Sequence, residues 1–359
     1  MGNIKQTTVL VGMSGGLDSS VAAALLLQEG YRVAGVIMKT WAGEAVEVKG
    51  KHGCYGPGEE ADIEDAGRVA AKLGIPLHVI DLAREYKAEV LDYFCHEYMS
   101  GRTPNPCVRC NPRIKFGAML DKAAALGIEF RYFATGHYAR IEMDDAGGRY
   151  LLKRAVDRKK DQSYFLYNLS QEQLARSLFP LGSRLKSEVR EICAELQLGV
   201  ENKEESQNFV CGSYTSLFEE QPAPGPLMDN QGRVLGRHKG IINYTIGQRR
   251  GLGVSAKEPL FVTEIKPELN AVIVGGREDL FKAGQIVAEL NWIAIDSLRE
   301  PLEVKARIRS SHSGYDATIS PLEDNRVMLT YAESQIAAAR GQAVVFYRGD
   351  VVLGGGIAV

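Results

Sequence analysis

The chain has 359 residues, of which 45% are hydrophobic and 25% charged, and its formal net charge is -2. This composition is typical of a globular protein of two or three domains, and the nearly balanced charge excludes a globally basic nucleic-acid binder. No apolar run in the sequence approaches the roughly 18 residues that span a bilayer, and the first residues lack a signal peptide's apolar stretch, so we predict a cytoplasmic protein without membrane contact.

The first half of the chain alternates strand and helix patterns. Apolar runs predict strands at 7–12, 31–38, 77–82 and 130–135, and helical spacing predicts helices at 19–28, 62–73, 85–99 and 114–126. Such alternation predicts an α/β domain, with a parallel sheet covered by helices on both faces and ligands at the carboxyl ends of the strands.

The pattern changes after about residue 200 to short β-rich runs, at 271–274, 304–308, 326–330 and 343–347. A proline-rich stretch, 221–226, marks a joint near this change. We therefore predict an α/β domain at 1–208, a small middle module at 209–280 and a β-barrel-like domain at 281–359.

The turn after the first predicted strand reads Gly12-Met-Ser-Gly-Gly-Leu-Asp-Ser-Ser20 and leads directly into a helix. Free backbone N–H groups at such a turn and the positive end of the helix dipole suit a phosphate. The sequence lacks the Gly-Lys-Ser/Thr of a P-loop and the Gly-x-Gly-x-x-Gly of a dinucleotide fold. Asp18 would hold Mg²⁺ and the serines would donate to phosphate oxygens, although a simple helix cap by Asp18 or Ser19 is the alternative.

This turn resembles the pyrophosphatase loop of enzymes that split ATP into AMP and pyrophosphate. Further stretches narrow the resemblance to tRNA-specific 2-thiouridylases, from end to end of the chain: 102–116, 134–140, 160–166, 240–253, and 341–347 with 353–356. The resemblance implies an adenine nucleotide α-hydrolase-like catalytic domain at 1–208, a tRNA-contacting middle module, and ATP bound by Gly12, Met13, Ser14, Gly15, Gly16, Leu17, Asp18, Ser19, Met38 and Gly136.

The chemistry of such a family requires two thiols. The C2 oxygen of a wobble uridine is a poor leaving group, so ATP must convert it to an adenylate before sulfur from a cysteine persulfide displaces it. Cys110 matches the family's nucleophile, and we expect it directly before a helix whose dipole, together with Arg109, Arg113 and Lys115, favours a thiolate. A persulfide donor protein would supply the sulfur.

Cys211 is our candidate for the partner thiol. The family pattern places its persulfide cysteine shortly after Asp-Ser, whereas this chain reads Glu205-Ser-Gln-Asn-Phe-Val-Cys211, which shifts the cysteine by one residue. A mobile loop would absorb such a shift, and no other cysteine lies nearby in the sequence.

Cys107 stands where the commoner family pattern has Asp, so that Cys107 and Cys110 form a Cys-x-x-Cys pair. With Cys211 they could bind a [4Fe-4S] cluster that leaves one iron open for sulfide. A zinc site that includes His52 or Cys54 and a simple redox dithiol are the other interpretations.

By residue match, the resemblance implies tRNA contacts in three parts of the chain. Those that would meet the target base or neighbouring nucleotides are Asn105, Pro106, Cys107, His137, Lys160, Asp161 and Gln162, and those in the tail are Arg307 and Gln342. An extruded base is typically held by stacking and edge hydrogen bonds.

The sequence thus predicts an ATP-dependent, monomeric tRNA sulfurtransferase that installs 2-thiouridine at the wobble position. Three alternatives stay open: another adenylylating enzyme such as an amide-forming ligase, a paralogue that thiolates a different nucleoside, and a non-catalytic RNA-binding protein.

Overall fold

The computed structural model describes residues 6–43, 53–144, 147–203, 208–220 and 222–359. The chain divides into two compact units. The first unit comprises 1–90, 107–213 and 350–352, and the second comprises 91–106, 214–349 and 353–359.

The first unit is built around a five-stranded sheet whose strands are all parallel, in the order β4-β2-β1-β5-β8. Its strands are β1 (Thr8–Gly12), β2 (Arg32–Lys39), β4 (Leu77–Asp81), β5 (Tyr132–Thr135) and β8 (Ser177–Leu178). Two further pairs lie outside this sheet: the parallel β3 (Gly53–Tyr55) and β9 (Asn208–Val210), and the antiparallel hairpin β6 (Ala139–Asp144) and β7 (Arg149–Arg154). The predicted parallel sheet is therefore confirmed.

Helices connect the strands of this sheet, and one more helix, α9 (Lys186–Glu195), follows its last strand. The connecting helices of this unit are α1 (Leu17–Gln28), α2 (Glu59–Leu73), α3 (Ala83–Tyr86), α5 (Pro106–Cys110), α6 (Met119–Ala125), α7 (Ser163–Leu166) and α8 (Gln171–Ala175). Helix α1 is buried on most of its length because its alanines and leucines pack against β1 and α9. The strand order reverses at β1, which pairs with β2 on one side and with β5 on the other, and ligands bind at such a switch point.

Two predicted helices differ from the structure. The predicted helix at 85–99 contains a π-helical turn, Lys87–Leu91, between α3 and α4 (Asp92–Met99). The helix expected to start at Ile114 already starts at Pro106, and a π-helical stretch, Asn111–Ala118, joins α5 to α6. Proline fits the first position of a helix, and the π-turn accommodates Pro112, which lacks the N–H of a regular turn.

The second unit contains α4 and two β structures. The middle module is a four-stranded sheet of β10 (Gly225–Asp229), β11 (Val234–His238), β12 (Phe261–Lys266) and β13 (Ala271–Gly275). The C-terminal part is a six-stranded barrel that closes where the last strand pairs with the first, made of β14 (Phe281–Trp292), β15 (Leu302–Arg307), β16 (Tyr315–Leu322), β17 (Arg326–Ile336), β18 (Ala343–Arg348) and β19 (Val351–Ala358). The predicted middle module and β-barrel are confirmed. None of the helices in the described ranges combines the length and the apolar composition of a membrane span.

Candidate functional site

A cleft of about 640 Å³ opens at the carboxyl ends of β1 and β5 in the first unit. Its volume lies within the range of small-molecule sites. Nine of the ten predicted ATP-binding residues line it, namely Gly12, Met13, Ser14, Gly16, Leu17, Asp18, Ser19, Met38 and Gly136. The fold thus brings together residues that the sequence separates by more than a hundred positions, because parallel strands end at one edge of the sheet.

The phosphate loop, residues 14–19, is held in a fixed shape by its own polar groups. The Ser14 N–H donates to Ser19 Oγ at 3.1 Å, and Ser20 Oγ donates to the Gly16 carbonyl at 2.8 Å. Gly15, the predicted ATP contact that does not line the cleft, has a φ of +66°, and a Cβ there would lie 2.3 Å from the Asp62 carbonyl. Helix α1 begins at Leu17 after Gly16, so neither Asp18 nor Ser19 is its N-cap, and the simple cap interpretation is wrong.

Asp18 already has basic and hydroxyl partners in the cleft. The ammonium of Lys186 donates to both carboxylate oxygens, at 2.7 and 2.8 Å, and the Tyr138 hydroxyl donates at 2.8 Å. Lys186 is only 6% exposed and lies 5.7 Å from the centre of the Tyr138 ring. Sequence reasoning missed Lys186, because a pairing across 168 positions leaves no local signal.

Further charged side chains surround the same space. Five of those that line it are basic: Lys115, Lys160, Lys186, Arg190 and Lys203. Glu59, also missed from the sequence, is buried and accepts hydrogen bonds from Thr40 N, Thr40 Oγ1 and Trp41 N at 2.6 to 3.0 Å. Basic groups around a glycine-containing loop form a site suited to a polyphosphate.

Cys110 lies in the thiol segment, residues 107–118, and is buried. It is the last residue of α5 and continues into the π-helical stretch, so it does not stand before a helix as we expected. Burial raises the pKa of its thiol to about 12, although the Lys115 ammonium acts in the opposite direction. Arg109 does not add to that field, because it donates to the Glu89 carboxylate at 3.0 Å. The expected activation by a helix dipole is therefore wrong, because desolvation outweighs the nearby positive charge.

The other thiols of the first unit differ in exposure. Cys211 follows β9 and is buried, and its sulfur accepts the Gly53 N–H at 3.2 Å. Cys54 on β3 and Cys107 at the start of the thiol segment are exposed. Within the described parts of the chain, no group of three or more His, Cys, Asp or Glu side chains is arranged to hold a metal. The ligand set Cys107, Cys110 and Cys211 is therefore not assembled in this conformation, and His52 lies outside the described residues.

The predicted tRNA contacts of the first unit are divided between the cleft and the interior. His137, Lys160 and Gln162 line the cleft. Desolvation, with a smaller effect of Lys115, lowers the pKa of His137 to about 3, so its ring is neutral, and Nδ1 lies 2.7 Å from Thr135 Oγ1. Asp161 is buried and accepts hydrogen bonds from Arg154, Ala155 N and Ser163 N, so it stabilises the loop instead of facing solvent.

Four predicted tRNA contacts belong to the second unit: Asn105, Pro106, Arg307 and Gln342. The Gln342 amide donates to the Thr103 carbonyl at 2.9 Å, which fixes the chain just before Asn105. Arg307 is buried, and its guanidinium lies 5.4 Å from the centre of the Tyr347 ring and donates to the Ser310 carbonyl. Its charge is therefore held within the barrel.

Three family descriptions match the chain in succession. Residues 7–212 match the tRNA methyl transferase HUP domain, 217–276 the tRNA methyl transferase PRC-barrel domain, and 282–358 the aminomethyltransferase beta-barrel domain. Together the matched ranges extend over both compact units.

Similar proteins match over nearly the whole chain. The tRNA-specific 2-thiouridylase MnmA 1 of Clostridium botulinum (strain Loch Maree / Type A3) is 48% identical over 357 residues, which cover 97% of this chain and 98% of that protein. The tRNA-specific 2-thiouridylase MnmA of Clostridioides difficile (strain 630) is 47% identical over 361 residues, 97% of each chain. The tRNA-specific 2-thiouridylase MnmA 2 of Clostridium tetani (strain Massachusetts / E88) is 47% identical over 363 residues, 99% of each.

Proposed function

The chain belongs to the family of tRNA-specific 2-thiouridylases, and we propose that it uses ATP to thiolate the wobble uridine of tRNA at C2. In this proposal ATP adenylylates the C2 oxygen, pyrophosphate leaves, and sulfur then displaces AMP. The single observation that carries the proposal is that Lys115, on the thiol segment with Cys110, lines the same cleft as the phosphate loop.

The phosphate loop supports the ATP half of the proposal. Its N–H groups at the start of α1 and the five basic side chains would bind the triphosphate. Proteins bind Mg²⁺ through one or two carboxylates together with substrate phosphates, which fits Asp18. Because Lys186 now pairs with Asp18, we infer that ATP phosphates would draw the Lys186 ammonium away as Mg²⁺ binds.

Two protein thiols would complete the sulfur half. We propose that Cys110 and Cys211 take part in the transfer and that a persulfide donor protein supplies the sulfur. Of the routes considered, we propose a persulfide and not a [4Fe-4S] cluster or zinc; Cys211, whose Sγ accepts a hydrogen bond from Gly53 N, is the candidate partner thiol.

Contacts with tRNA are proposed for the residues that the family match indicates. In the cleft, neutral His137 with Gln162 would meet the extruded base, while Lys160 would contact a phosphate. Asn105, Pro106 and Cys107 would meet the target base. Arg307 and Gln342, in the C-terminal part of the chain, would contact the tRNA away from the target base.

The decisive experiment combines two readouts on purified protein with undermodified tRNA. We expect tRNA-dependent release of pyrophosphate from ATP, followed by 2-thiouridine in digested tRNA when a persulfide donor is added. Pyrophosphate release with ammonia incorporation and no thionucleoside would instead indicate an amide-forming ligase, and a thiolated nucleoside other than 2-thiouridine would indicate a paralogous activity. Anaerobic purification with an iron assay separates the sulfur sources, since the persulfide route predicts an active, iron-free preparation.

A further inference from the structure

Glu59, the first residue of α2, is a buried carboxylate that lines the cleft. The residue is only 8% exposed, and its side chain accepts three hydrogen bonds. Thr40 N and Thr40 Oγ1 donate to Oε1 at 2.6 and 2.7 Å, and Trp41 N donates to Oε2 at 3.0 Å. Within the described ranges these neutral groups are the partners of the carboxylate, and no ammonium or guanidinium pairs with it. The negative charge of Glu59 is therefore directed at one short segment of the chain, the two residues after β2.

Asp62, on the same turn of α2, uses its charge differently. Its Oδ1 pairs with the Lys203 ammonium at 2.6 Å, and both side chains line the cleft. A buried charge is costly unless it is hydrogen-bonded, and bonds from N–H donors to a carboxylate are stronger than bonds between neutral groups. The positive end of the α2 dipole also stabilises a carboxylate in the first turn. The Glu59 charge is thus stabilised without a cation, and its hydrogen bonds fix the groups that donate them.

The end of β2 needs such an anchor because the sheet supports it on one side only. The ladder between β1 and β2 ends at Val36, whereas the ladder between β2 and β4 continues to Lys39. Met38, which lines the cleft, consequently has a ladder partner in β4 but none in β1. Beyond Lys39 the next two backbone N–H groups both donate to Glu59. The carboxylate takes over where the backbone ladder stops.

The first turn of α2, residues 59–62, also lies against the phosphate loop. A Cβ on Gly15 would lie 2.3 Å from the Asp62 carbonyl oxygen, so this backbone approach is very close. One turn of one helix therefore contacts both the loop proposed to bind the triphosphate and the segment that follows Met38, which is proposed to contact the adenosine. Such a turn sets the spacing between the two ends of the ATP site.

We propose that Glu59 is a positioning residue that holds Met38 against the nucleoside of ATP through Thr40 and Trp41, a role that rests on the proposed use of ATP. Glu59 acts through the end of β2 and not by touching the reacting atoms. Its loss should weaken the binding of ATP to the same extent before and during the reaction, because the phosphate loop and Asp18 are unchanged. The expected signature is weaker ATP binding with normal turnover at saturating ATP.

The test measures ATP binding and turnover separately in Glu59→Gln. The amide has the shape of the carboxylate but offers one acceptor oxygen, and its NH₂ group would face a backbone N–H. By calorimetry with Mg²⁺ and ATP in the absence of tRNA, we expect the dissociation constant of ATP to rise about 10- to 30-fold. The turnover number of tRNA-dependent pyrophosphate release at saturating ATP should stay within about twofold of normal.

Glu97→Gln is the matched control. Glu97 is also a buried helical carboxylate, 7% exposed, and accepts a hydrogen bond from Arg102 Nε at 2.7 Å, but it belongs to the second unit and does not line the cleft. Chemical denaturation should show a loss of stability in this variant too. Its dissociation constant for ATP should be normal, which separates a general loss of stability from a loss of position.

A double-mutant cycle with Thr40→Val tests whether Glu59 acts through the end of β2. Removal of the Thr40 hydroxyl deletes one of the three hydrogen bonds, so we expect the dissociation constant of ATP to rise about 2- to 5-fold with normal turnover. In the double variant the increase should be clearly smaller than the product of the two single increases, because both substitutions break the same contact. If Glu59→Gln does not fold, ATP binding by Thr40→Val alone tests the proposal.

Three results would overturn the role of Glu59 without touching the proposed function. They are normal ATP binding in Glu59→Gln, normal ATP binding in Thr40→Val, and single effects that multiply in the double variant. The proposed function fails on a different observation, namely ATP binding by the unsubstituted chain without pyrophosphate release when tRNA is added. Calorimetry would in that case still measure the effect of Glu59 on ATP binding, so the two failures are distinguishable.

Discussion

The phosphate loop and the thiol segment belong to the same unit, but the polar groups of the phosphate loop lie beside an open cleft whereas the Cys110 thiol is buried. In the phosphate loop, Ser14 and Ser19 are hydrogen-bonded to each other and Asp18 is paired with Lys186, beside an open cleft. In the thiol segment, Cys110 is buried and the pKa of its thiol is raised to about 12.

This difference separates binding from reaction. An anion that enters the phosphate loop meets ammonium groups that already line the space, and the change it requires there is a shift of the Lys186 ammonium from Asp18 to the phosphates. A thiol with such a high pKa is almost entirely protonated near neutral pH, so only a very small thiolate fraction can react. We therefore expect activation by ATP and sulfur transfer to respond separately to substitutions.

The largest effect should come from the thiol segment. Cys110→Ser should reduce 2-thiouridine formation by about 10 000-fold or more, because a serine hydroxyl cannot replace one of the two thiols proposed to take part in sulfur transfer. Pyrophosphate release should stay near normal, since Cys110 does not line the cleft. Nucleoside analysis and a pyrophosphate assay on the same reaction check this, and normal thionucleoside yield would remove Cys110 from the mechanism.

Substitution in the phosphate loop should have the converse effect. Asp18→Asn should lower pyrophosphate release by about 1000-fold, because the amide cannot neutralise Lys186 or hold Mg²⁺. Binding of tRNA, measured by filter retention, should be unchanged. Asp350→Asn is the matched control, since that carboxylate pairs with Arg158 in the same unit but does not line the cleft. Retained pyrophosphate release in Asp18→Asn would contradict the role proposed for this carboxylate.

The strand and the helix that flank the phosphate loop could be predicted because their sequence signals are local. The apolar run before Gly12 and the alanines and leucines after Ser20 indicate a buried strand and helix, and the parallel arrangement brings Gly136 to the same edge. Each of these inferences depends on residues within a few positions of one another or on a general rule of parallel sheets.

The residues that reach the cleft from distant parts of the chain had no such local sequence signal. Lys186 meets Asp18, and Cys54 reaches the cleft, through contacts between segments far apart in the chain. The start of α5 at Pro106 was missed because Pro112 normally argues against a helix, and only a π-turn allows the helix to continue. The pKa of Cys110 was wrongly expected to be low because its burial, which raises that pKa, is set by tertiary packing and has no local sequence signal.

The two half-reactions should also differ in their pH dependence. With a pKa of about 12, the Cys110 thiolate fraction rises about tenfold per pH unit between pH 7 and 9. The single-turnover rate of 2-thiouridine formation should therefore rise with a slope near one on a logarithmic scale, and pyrophosphate release should not follow it. Quenched-flow measurements of both products over this range test the prediction. A plateau of the thiolation rate by pH 8 would mean that the reacting thiol has an ordinary pKa.

The smallest effect concerns the support of the thiol segment. The Gln173 amide donates to the carbonyls of Pro112 and Phe116, at 2.8 and 3.0 Å, where the π-turn leaves these acceptors accessible. Gln173→Met should lower the free energy of unfolding by about 1–2 kcal/mol and reduce 2-thiouridine formation several-fold, because the segment that carries Cys110 loses two hydrogen bonds and α8 loses the bond from the Ser170 N–H to Gln173 Oε1. Chemical denaturation and nucleoside analysis measure the two changes.

Gln171→Met on the same helix, α8, separates support of the thiol segment from a general loss of stability. The Gln171 side chain exchanges two hydrogen bonds with the backbone of Tyr150 on β7, away from the thiol segment. We expect a similar loss of unfolding free energy in this variant but normal thiolation. If both variants thiolate equally well, the π-turn keeps Cys110 in position without Gln173, and the difference between the phosphate loop and the thiol segment then depends on burial alone.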